Sequence, residues 1–376
     1  MNIEQTLQQL EESGNFRRIP SESDAALVDL SSNDYLGLAE RSDLREEFYS
    51  LYPAATLPMS ASASRLLGGR QREFDAFERT LADAYGRAAL LFNSGYHANV
   101  GLIQAIADSR TLIVADRLVH ASIIDGIRLS GVPFERFRHN DYDHLQRILS
   151  KKAADYDTVL IVAESVYSMD GDTADINRLI EAKRSLGDKA ILYIDEAHAV
   201  GVLGPSGLGL VAASQDPAEI DIVVGTMGKA LASVGAYAVM SARMRDFMVN
   251  KARSLIFSTA LPPINIAWSD FIFRRMMTMD DERRRLADLS ARLAKALGTD
   301  EAGHIRPLIV GDPRLAVEMS RRLLEIGYKV LPIRTPTVPP GTERLRFSLS
   351  AAIPPEAIDR LAAAISEVSN SMNNRQ

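Results

Sequence analysis

The chain of 376 residues contains no cysteine. This absence excludes disulfide bonds, thiolate metal sites and a cysteine nucleophile, and it is typical of a protein that works in a reducing cytosol. Long apolar runs are also missing, because charged residues interrupt every such stretch before the roughly 18 residues that a membrane helix needs. The N-terminal segment MNIEQTLQQLEESG is polar and acidic, unlike a signal peptide. We therefore expect a cytoplasmic protein with no membrane span and no metal site.

The charge balance excludes another class of partner. The formal net charge is −6 at pH 7, with 24% charged and 46% hydrophobic residues. An acidic chain repels nucleic acids and anionic membranes, so we expect neither as a partner. Acidic substrates must instead be bound by local arginines. A chain of this length is expected to form two domains of about 100–200 residues each.

Short β-branched runs alternate with longer amphipathic stretches through the first two thirds of the chain. This alternation predicts an α/β domain whose mostly parallel sheet is covered by helices. In such sheets, ligands bind beyond the carboxyl ends of the strands. The predicted strands are AALLF (88–92), TLIVA (111–115), TVLIVAE (158–164), AILYID (190–195) and IVVG (222–225), and the predicted helices cover 97–108, 120–130, 141–151 and 173–186.

After about residue 262 the pattern changes to that of a smaller α+β domain. We predict three parts: an N-terminal segment, 1–45, a large domain, 46–262, and a C-terminal domain, 263–376. The elements predicted in the last part are one long helix over 265–298, strands over 305–310 and 344–350, and further helices over 313–326 and 355–372.

Lysine is scarce, with eight residues against 35 arginines, and Lys229 differs from the others in its surroundings. It follows the apolar strand DIVVGTM and lies among the small residues of TMGKALASVGA. A lysine buried at a strand end must be paired, neutralised or covalently used, because a desolvated ammonium group is costly. Small neighbours leave room for a flat group. The alternative is an ordinary lysine in a surface loop.

Asp195 ends the strand AILYID, 34 positions before Lys229, which is about one strand–helix–strand unit. The two residues are therefore expected on neighbouring parts of one sheet edge. A carboxylate in this position can keep a pyridine nitrogen protonated, which makes the ring a better electron sink for a carbanion. The alternative is an N-cap for the next helix.

Four motifs resemble those of the α-oxoamine synthase family: SNDYLGL (32–38), ESVYSMDGD (164–172), DEAHAVGVLGPSGLG (195–209) and TMGKAL (226–231). The resemblance extends from about residue 30 to residue 360. Members of this family are fold-type I enzymes that use pyridoxal 5′-phosphate (PLP) to condense an amino acid with an acyl-CoA thioester, with loss of carbon dioxide. The resemblance implies the same fold, cofactor and reaction class, and a homodimer with active sites at its interface.

The resemblance also implies roles around the cofactor. Lys229 matches the lysine that holds the cofactor as a Schiff base, Asp195 the partner of the pyridine nitrogen, and His198 the residue that bonds the phenolic oxygen. His120 in ADRLVHASIIDG matches the histidine that stacks on the cofactor; a helix cap or core histidine is the alternative. The other cofactor-binding matches are the hydroxyls of Ser168 and Thr226, Gly95 and Tyr96 near the phosphate (otherwise an ordinary strand-to-helix turn), and Ser258 and Thr259, for the phosphate of a neighbouring subunit.

Substrate contacts follow from the same resemblance. Arg346 in RLRFSLS matches the arginine that anchors the amino-acid carboxylate through a bidentate pair. The alternative is a surface ion pair with Glu343. The other candidates are Thr337, Asn33 (otherwise turn chemistry) and, for the acyl-chain carboxylate, Arg17 or Arg18.

The C-terminal runs PLIVGD (307–312) and RTPTVPPGTERLRFSLSAA (334–352) most resemble the branch of the family that serves biotin biosynthesis. That branch joins L-alanine to pimeloyl-CoA or to pimeloyl carrier protein. In the implied mechanism, Lys229 takes the α-proton, Asp195 holds the protonated ring, and His120 polarises the developing oxyanion. The alternatives are glycine C-acetyltransferase, 5-aminolevulinate synthase, serine palmitoyltransferase and quorum-signal synthases within the family, and a PLP-dependent lyase, an aminotransferase or a non-catalytic partner subunit outside this reaction.

The loop SASAS (60–64) departs from the family pattern, which usually has a glycine-rich stretch of the kind GSGGSR here. Serine and alanine tolerate a positive φ poorly. We therefore expect this loop to run differently and to affect recognition of the acyl chain. Ala232 is a second departure, because glycine is common at its position.

Overall fold

The structure is a computed structural model and describes residues 2–19, 27–68 and 71–373. Its helices are α1 Ile3–Glu12, α2 Ser42–Leu51, α3 Arg72–Tyr85, α4 Gly95–Ile106, α5 Ala121–Ser130, α6 Tyr142–Lys152, α7 Ile176–Arg184, α8 Ala242–Lys251, α9 Arg253–Ile256, α10 Pro263–Met276, α11 Asp280–Leu297, α12 Pro313–Glu325, α13 Pro355–Asp359 and α14 Leu361–Asn373. Its strands are β1 Val28–Asp29, β2 Ala88–Phe92, β3 Thr111–Asp116, β4 Phe134–Phe137, β5 Thr158–Glu164, β6 Ala190–Asp195, β7 Ile222–Thr226, β8 Ala236–Met240, β9 Ile305–Ile309, β10 Tyr328–Lys329, β11 Leu331–Ile333 and β12 Arg344–Ser348.

The chain divides into two compact units. The larger unit contains Gly37–Tyr167 and Asp172–Asp280, and the smaller unit contains Met1–Leu36, Ser168–Gly171 and Asp281–Gln376. The smaller unit therefore draws on three separate stretches of the chain. The predicted large domain covers 46–262. The larger unit extends beyond it at both ends, because it also includes 37–45 and 263–280.

The larger unit is built on a sheet of seven strands within its described residues, in the order β2-β8-β7-β6-β5-β3-β4. Strand β8 is antiparallel to both β2 and β7. The other neighbouring strands pair in parallel. This topology confirms the predicted α/β fold with its mostly parallel sheet, and the five predicted strands correspond to β2, β3, β5, β6 and β7.

The central strands are buried along almost their whole length, as in Val159–Val162 of β5. A strand buried on both faces is apolar throughout and shows no alternation, which is why these runs are visible in the sequence. All the strands of this sheet except β8 end at the same edge. The last residues of β2, β3, β5, β6 and β7 are Phe92, Asp116, Glu164, Asp195 and Thr226, so that edge carries several polar side chains.

Two helices begin directly beyond this edge. Ser94 caps α4 by accepting a hydrogen bond from the N–H of His97, and His120 caps α5 by accepting one from the N–H of Ser122. The helices pack closely, because a Cβ atom added to Gly126 would lie 3.0 Å from the carbonyl oxygen of Asn99. The N-terminal turns of both helices therefore lie at the edge where the strands end.

The smaller unit contains an antiparallel sheet in the order β11-β12-β9 and a parallel pair formed by β1 and β10. Together with α11, α12 and α14 it forms the predicted α+β part. The helix predicted over 265–298 is two helices, α10 and α11. The break follows turn hydrogen bonds from the N–H of Thr278 to the Arg275 carbonyl and from the N–H of Met279 to the Met276 carbonyl.

Within the described residues, no helix combines the length and the hydropathy needed to cross a membrane. The same residues contain no group of three or more histidine and carboxylate side chains arranged to hold a metal ion.

Candidate active site

Lys229 lies just beyond the carboxyl end of β7, at the edge where the polar strand ends gather. Its side chain is partly buried, and Nζ lies 2.7 Å from Nε2 of His198. His198 follows β6, the neighbouring strand, and is itself buried. The structure therefore brings together the two residues predicted to hold the cofactor and to bond its phenolic oxygen, and Lys229 is not an ordinary surface lysine.

Asp195 is buried at the end of β6, next to the strand that leads to Lys229. Its Oδ1 accepts a hydrogen bond from the N–H of Ala197 at 2.8 Å. The residues that follow form turns, so this contact is not the helix N-cap that was the alternative. Its Oδ2 accepts a second hydrogen bond from Nδ2 of Asn99 at 2.7 Å. Both carboxylate oxygens are thus held by donors.

Glu164 ends β5 and stands directly opposite Asp195 across the strand pair. Burial raises the pKa of Glu164 well above its usual value, and the charge of Asp195 raises it further. Its Oε1 accepts a hydrogen bond from the backbone N–H of His120. Burial and the neighbouring carboxylate therefore both favour the protonated form of Glu164.

His120 is the N-cap residue of α5, which is the helix-cap role given as its alternative. Its Nδ1 lies 2.8 Å from Oγ of Ser122 and accepts the Ser122 N–H at 3.2 Å. Desolvation by the surrounding protein, together with the charge of Lys229, lowers the pKa of His120, although Asp195 and Asp125 oppose this shift. The ring is therefore neutral near pH 7, while part of the residue remains exposed.

Gly95 and Tyr96 are the first two residues of α4. The first N–H groups of a helix have no acceptor within the helix, and they bind phosphate groups well. A Cβ atom added to Gly95 would lie 3.9 Å from Oγ1 of Thr226, so the threonine hydroxyl lies beside this turn. That hydroxyl donates to the Gly235 carbonyl at 3.2 Å. Glycine, helix terminus and hydroxyl together form a site suited to an anion.

These groups fit PLP. An amine that can bond an aldehyde carbon, a buried carboxylate for a pyridine nitrogen and a helix N-terminus for a phosphate lie at one edge of one sheet. The residues that would hold PLP in the larger unit are Lys229, Asp195, His198, His120, Thr226, Gly95 and Tyr96.

Arg346 lies on β12 in the smaller unit and is buried. Its Nε donates to the carbonyl oxygen of Ser168 at 2.6 Å, and its Nη2 donates to Oδ1 of Asn33 at 3.2 Å. Glu343 is bonded elsewhere, because it accepts from the Gly341 N–H at 2.9 Å. The structure therefore groups three predicted site residues in the smaller unit and does not show the surface ion pair that was the alternative for Arg346.

The two adjacent N-terminal arginines differ in their surroundings. Arg17 donates from Nη2 to Oγ1 of Thr337 at 3.0 Å, so it lies beside another predicted substrate residue. The side chain of Arg18 is 78% exposed and lies 3.6 Å from Glu11. The sequence alone did not distinguish the two arginines as candidates for the acyl-chain carboxylate. In the structure, the contact with Thr337 distinguishes Arg17 from Arg18.

The loop SASAS contacts the segment that contains Ser258 and Thr259. Ser64 forms an isolated bridge with Thr259, and the Thr259 carbonyl accepts from Nδ2 of Asn93 at 2.6 Å. Ser62 has a φ of 56° and Ala232 a φ of 43°. Both positions thus adopt the left-handed conformation that glycine favours, at a cost of about 1 kcal/mol each.

Three residues in contact with the predicted site were not singled out from the sequence. Asn99 contacts Asp195, Ser122 contacts His120, and Glu164 binds the N–H of His120. Each is a polar residue with less than 4% of its surface exposed. The sequence feature that could have indicated such residues is a polar residue next to an apolar run, as Glu164 is in TVLIVAE.

Comparisons with known proteins agree with this geometry. The profile of the family described as aminotransferase class I and II matches residues 25–365. The 8-amino-7-oxononanoate synthase of Chlorobaculum parvum (strain DSM 263 / NCIMB 8327) is 48% identical over 90% of this chain and 88% of its own. A high-resolution structure of SPT with PLP has a TM-score of 0.88 at 28% identity, over 99% of this chain and 97% of the other. The crystal structure of 8-amino-7-oxononanoate synthase from Francisella tularensis has a TM-score of 0.76 at 26% identity, over 93% of this chain and 100% of the other.

The fold and the residues at the sheet edge define a fold-type I transferase whose cofactor is PLP. The chain belongs to the aminotransferase class I and II family and, within it, to the α-oxoamine synthases. It is a PLP-dependent enzyme similar to 8-amino-7-oxononanoate synthase, which confirms the resemblance found in the sequence.

Proposed function

We propose that this enzyme condenses L-alanine with a pimeloyl thioester to give 8-amino-7-oxononanoate, carbon dioxide and the free thiol, in biotin biosynthesis. The observation that carries the proposal is the set formed by Lys229, His198 and Asp195 at one sheet edge. The N–H of His120 is bonded to Glu164 at the end of the next strand, β5. The name of the Chlorobaculum parvum relative supports the choice of substrates. Because the chain contains no cysteine, as is typical of proteins in a reducing cytosol, we also propose the cytoplasm as its location.

Each residue of this set has a defined chemical task in the proposed reaction. PLP, when bound, supplies an electron sink for the charge that develops at the α-carbon. Lys229 holds the cofactor and later accepts the α-proton, assisted by the imidazole of His198, which lies 2.7 Å away. Asp195 keeps the pyridine nitrogen protonated. His120 donates a hydrogen bond to the thioester oxygen as negative charge develops there.

We propose that Arg346 binds the carboxylate of the amino acid. A guanidinium has five N–H donors, and the Ser168 carbonyl and Asn33 accept from Nε and Nη2. These two contacts hold the plane of the guanidinium, so a carboxylate can approach a preorganised donor group. Asn33 and Ser168 thereby orient Arg346, and the Ser168 hydroxyl stays a proposed cofactor contact.

We further propose that Arg17 binds the distal carboxylate of the pimeloyl chain. Burial and then the charge of Arg17 lower the pKa of Arg334, so two guanidinium groups are close neighbours in the smaller unit. Like charges held together favour the binding of an anion between them. Thr337, which accepts from Arg17, fixes the direction of that side chain.

Replacing Arg17 with alanine is expected to raise the KM for pimeloyl-CoA about 30-fold, the equivalent of about 2 kcal/mol for a lost charged hydrogen bond. The kcat should change little, because the interaction is made equally in the ground state and in the transition state. Initial rates of CoA release at saturating L-alanine measure both constants.

Arg18→Ala is the matched control, because it removes the adjacent, exposed arginine and should leave the KM unchanged. Octanoyl-CoA has no distal carboxylate, so Arg17→Ala should not raise its KM. A larger effect from Arg18→Ala, or an equal effect on both thioesters, would contradict the assignment of Arg17.

The choice of substrates has its own test, a CoA-release assay that combines L-alanine, glycine and L-serine with acetyl-, pimeloyl- and palmitoyl-CoA. We expect the highest kcat/KM for L-alanine with pimeloyl-CoA. If acetyl- or palmitoyl-CoA performs better, the biotin assignment is wrong, although the α-oxoamine synthase assignment stands. The SASAS loop, with its left-handed Ser62, is the segment to examine first in that case.

We propose that the enzyme is a homodimer in which Ser258 and Thr259 approach the phosphate of the neighbouring subunit. The segments joined by the Ser64–Thr259 bridge carry three large apolar side chains, Met59, Leu67 and Phe257, that are 70–82% exposed. Apolar side chains grouped on an exposed surface are typical of an interface.

Light scattering of the loaded enzyme at micromolar concentration should therefore give twice the 41.3 kDa mass of one chain. Phe257→Asp places a charge in the proposed interface and is expected to shift the mass towards that of the monomer. An active enzyme with the mass of one chain would contradict the dimer.

A further inference from the structure

Asn99 is a polar residue in the interior of the larger unit. It lies on α4, about 1% of its surface is exposed, and its amide makes three hydrogen bonds. Nδ2 donates to Oδ2 of Asp195 at 2.7 Å and to Oγ of Ser122 at 2.9 Å. Oδ1 accepts from the hydroxyl of Tyr193 at 2.6 Å. One buried amide thus contacts the side chain of Asp195 and the serine that contacts His120.

The direction of each hydrogen bond in this group follows from its chemistry. A carboxylate only accepts hydrogen bonds, so the NH₂ group of Asn99 must face Asp195. The same NH₂ group also faces Ser122, so the Ser122 oxygen accepts from Asn99. A serine hydroxyl has one proton, and this proton is then directed to the remaining neighbour, Nδ1 of His120, at 2.8 Å.

His120 receives a second donor on the same nitrogen. The backbone N–H of Ser122 points to Nδ1 at 3.2 Å, so Nδ1 accepts from both the N–H and the hydroxyl of this residue. A neutral imidazole with Nδ1 as its acceptor carries its proton on Nε2. Desolvation and the charge of Lys229 lower the pKa of His120, against the effects of Asp195 and Asp125, and so favour the neutral ring.

We propose that Asn99 and Ser122 are positioning residues that form a directed hydrogen-bond relay from Tyr193 to Asp195 and to His120. The relay orients the carboxylate of Asp195 and keeps His120 in the tautomer that is protonated on Nε2. His120 then has its donor on the nitrogen that faces away from α5. The use of that donor towards the thioester oxygen rests on the proposed function; the tautomer itself does not.

The packing of α4 against α5 supports the relay. A Cβ atom on Gly126 of α5 would lie 3.0 Å from the Asn99 carbonyl oxygen and 3.2 Å from Cα of Val100, so a larger residue would push these two backbones apart. The close contact places Asn99 within reach of Ser122 on the neighbouring helix. A buried network with all its members satisfied is rigid, and rigidity is what a positioning role requires.

The test is a nitrogen-15 NMR measurement on the loaded enzyme with labelled histidine. The chain has six histidines, and the signals of His120 are identified by their loss in His120→Gln. At about pH 7.5, we expect the shifts of a neutral ring with its proton on Nε2. A ring protonated on Nδ1, or on both nitrogens, overturns the proposal without any further variant.

Ser122→Ala removes the hydroxyl donor and leaves only the backbone N–H on Nδ1. We expect the second tautomer to appear in the spectrum. We also expect kcat to fall about tenfold with little change in KM, because the missing Nε2 donor matters only as charge develops on the thioester oxygen. Ser290→Ala is the matched control: Ser290 is also a buried helical serine, bonded to the Leu286 carbonyl at 2.8 Å. It should change neither the spectrum nor kcat.

If Ser122→Ala keeps a pure Nε2-protonated ring and the original kcat, the serine is only structural and the relay is refuted. A wrong assignment of substrates would appear differently, as low CoA release with every pimeloyl donor while the tautomer of His120 remains as proposed. The two failures are therefore distinguishable.

Discussion

Replacing Lys229 with alanine is expected to abolish turnover, with a loss of about 10⁴-fold or more in kcat, because both covalent capture of the cofactor and removal of the α-proton depend on this amine. The Nζ atom lies 2.7 Å from Nε2 of His198, within reach of the residues that would surround PLP. The variant should also lose the adduct with PLP that borohydride reduces. Mass spectrometry after reduction, together with CoA release, measures both effects.

Lys251→Ala is the control, since Lys251 is an exposed lysine on α8 in the same unit. It should retain the reducible adduct and full activity. If Lys229→Ala still forms the adduct and turns over at the original rate, another lysine holds the cofactor and the central claim is wrong.

Asp195→Asn is expected to slow removal of the α-proton roughly 10³-fold, about 4 kcal/mol in activation free energy. The neutral amide cannot stabilise a protonated pyridine nitrogen, so the ring becomes a poorer electron sink. The hydrogen bonds of the asparagine are also unfavourable. Both carboxylate oxygens of Asp195 accept hydrogen bonds, so the NH₂ group of the asparagine would face one of these two donors. Exchange of the L-alanine α-proton with deuterium, followed by NMR, measures this step alone.

Asp246→Asn serves as the control, because the side chain of Asp246 is 78% exposed. Bound PLP should be retained in part by Asp195→Asn, which absorption spectra can show. An unchanged exchange rate would mean that Asp195 has only a structural role, in its turn contact with the N–H of Ala197.

Much of the larger unit could be predicted because its strands are buried on both faces. The runs at 88–92, 158–164 and 190–195 match the strands of the structure to the residue. Strand β8, with the sequence AYAVM, was missed although it is fully buried, because an apolar run of five residues can belong to a strand or to a buried helix. The pair formed by β1 and β10 has no local signature at all, since each partner is only two residues long.

The prediction of a single helix over 265–298 failed for a different reason. The sequence MMTM at 276–279 contains neither glycine nor proline, so nothing in it marks the end of α10. The turn hydrogen bonds of Thr278 and Met279 end the helix instead. Such bonds depend on the packing of the whole helix and cannot be derived from residue preferences.

The candidate catalytic residues could be singled out from the sequence where they lie in a contiguous motif. Lys229 and Asp195 follow apolar strands, which makes them conspicuous in the sequence. Asn99 is not conspicuous, because a single asparagine on a helix is ordinary until the partner at Asp195, 96 positions away, is known. Arg17 and Arg18 are adjacent, and only their different neighbours in the folded chain distinguish them.

The pairing of β1 with β10 has a consequence for the order in which the chain folds during synthesis. Asp29 and Lys329 are joined by a hydrogen bond across 300 positions of the chain. The ribosome therefore releases β1 long before its partner exists, whereas the stretch up to Asp280 that builds the larger unit is complete much earlier. The entropic cost of closing so long a loop is only slightly larger than that of closing a shorter one. The pairing therefore delays the folding of the smaller unit but does not weaken it. We expect Lys229 and Asp195 to come together on a nascent chain from which Arg346 has not yet emerged.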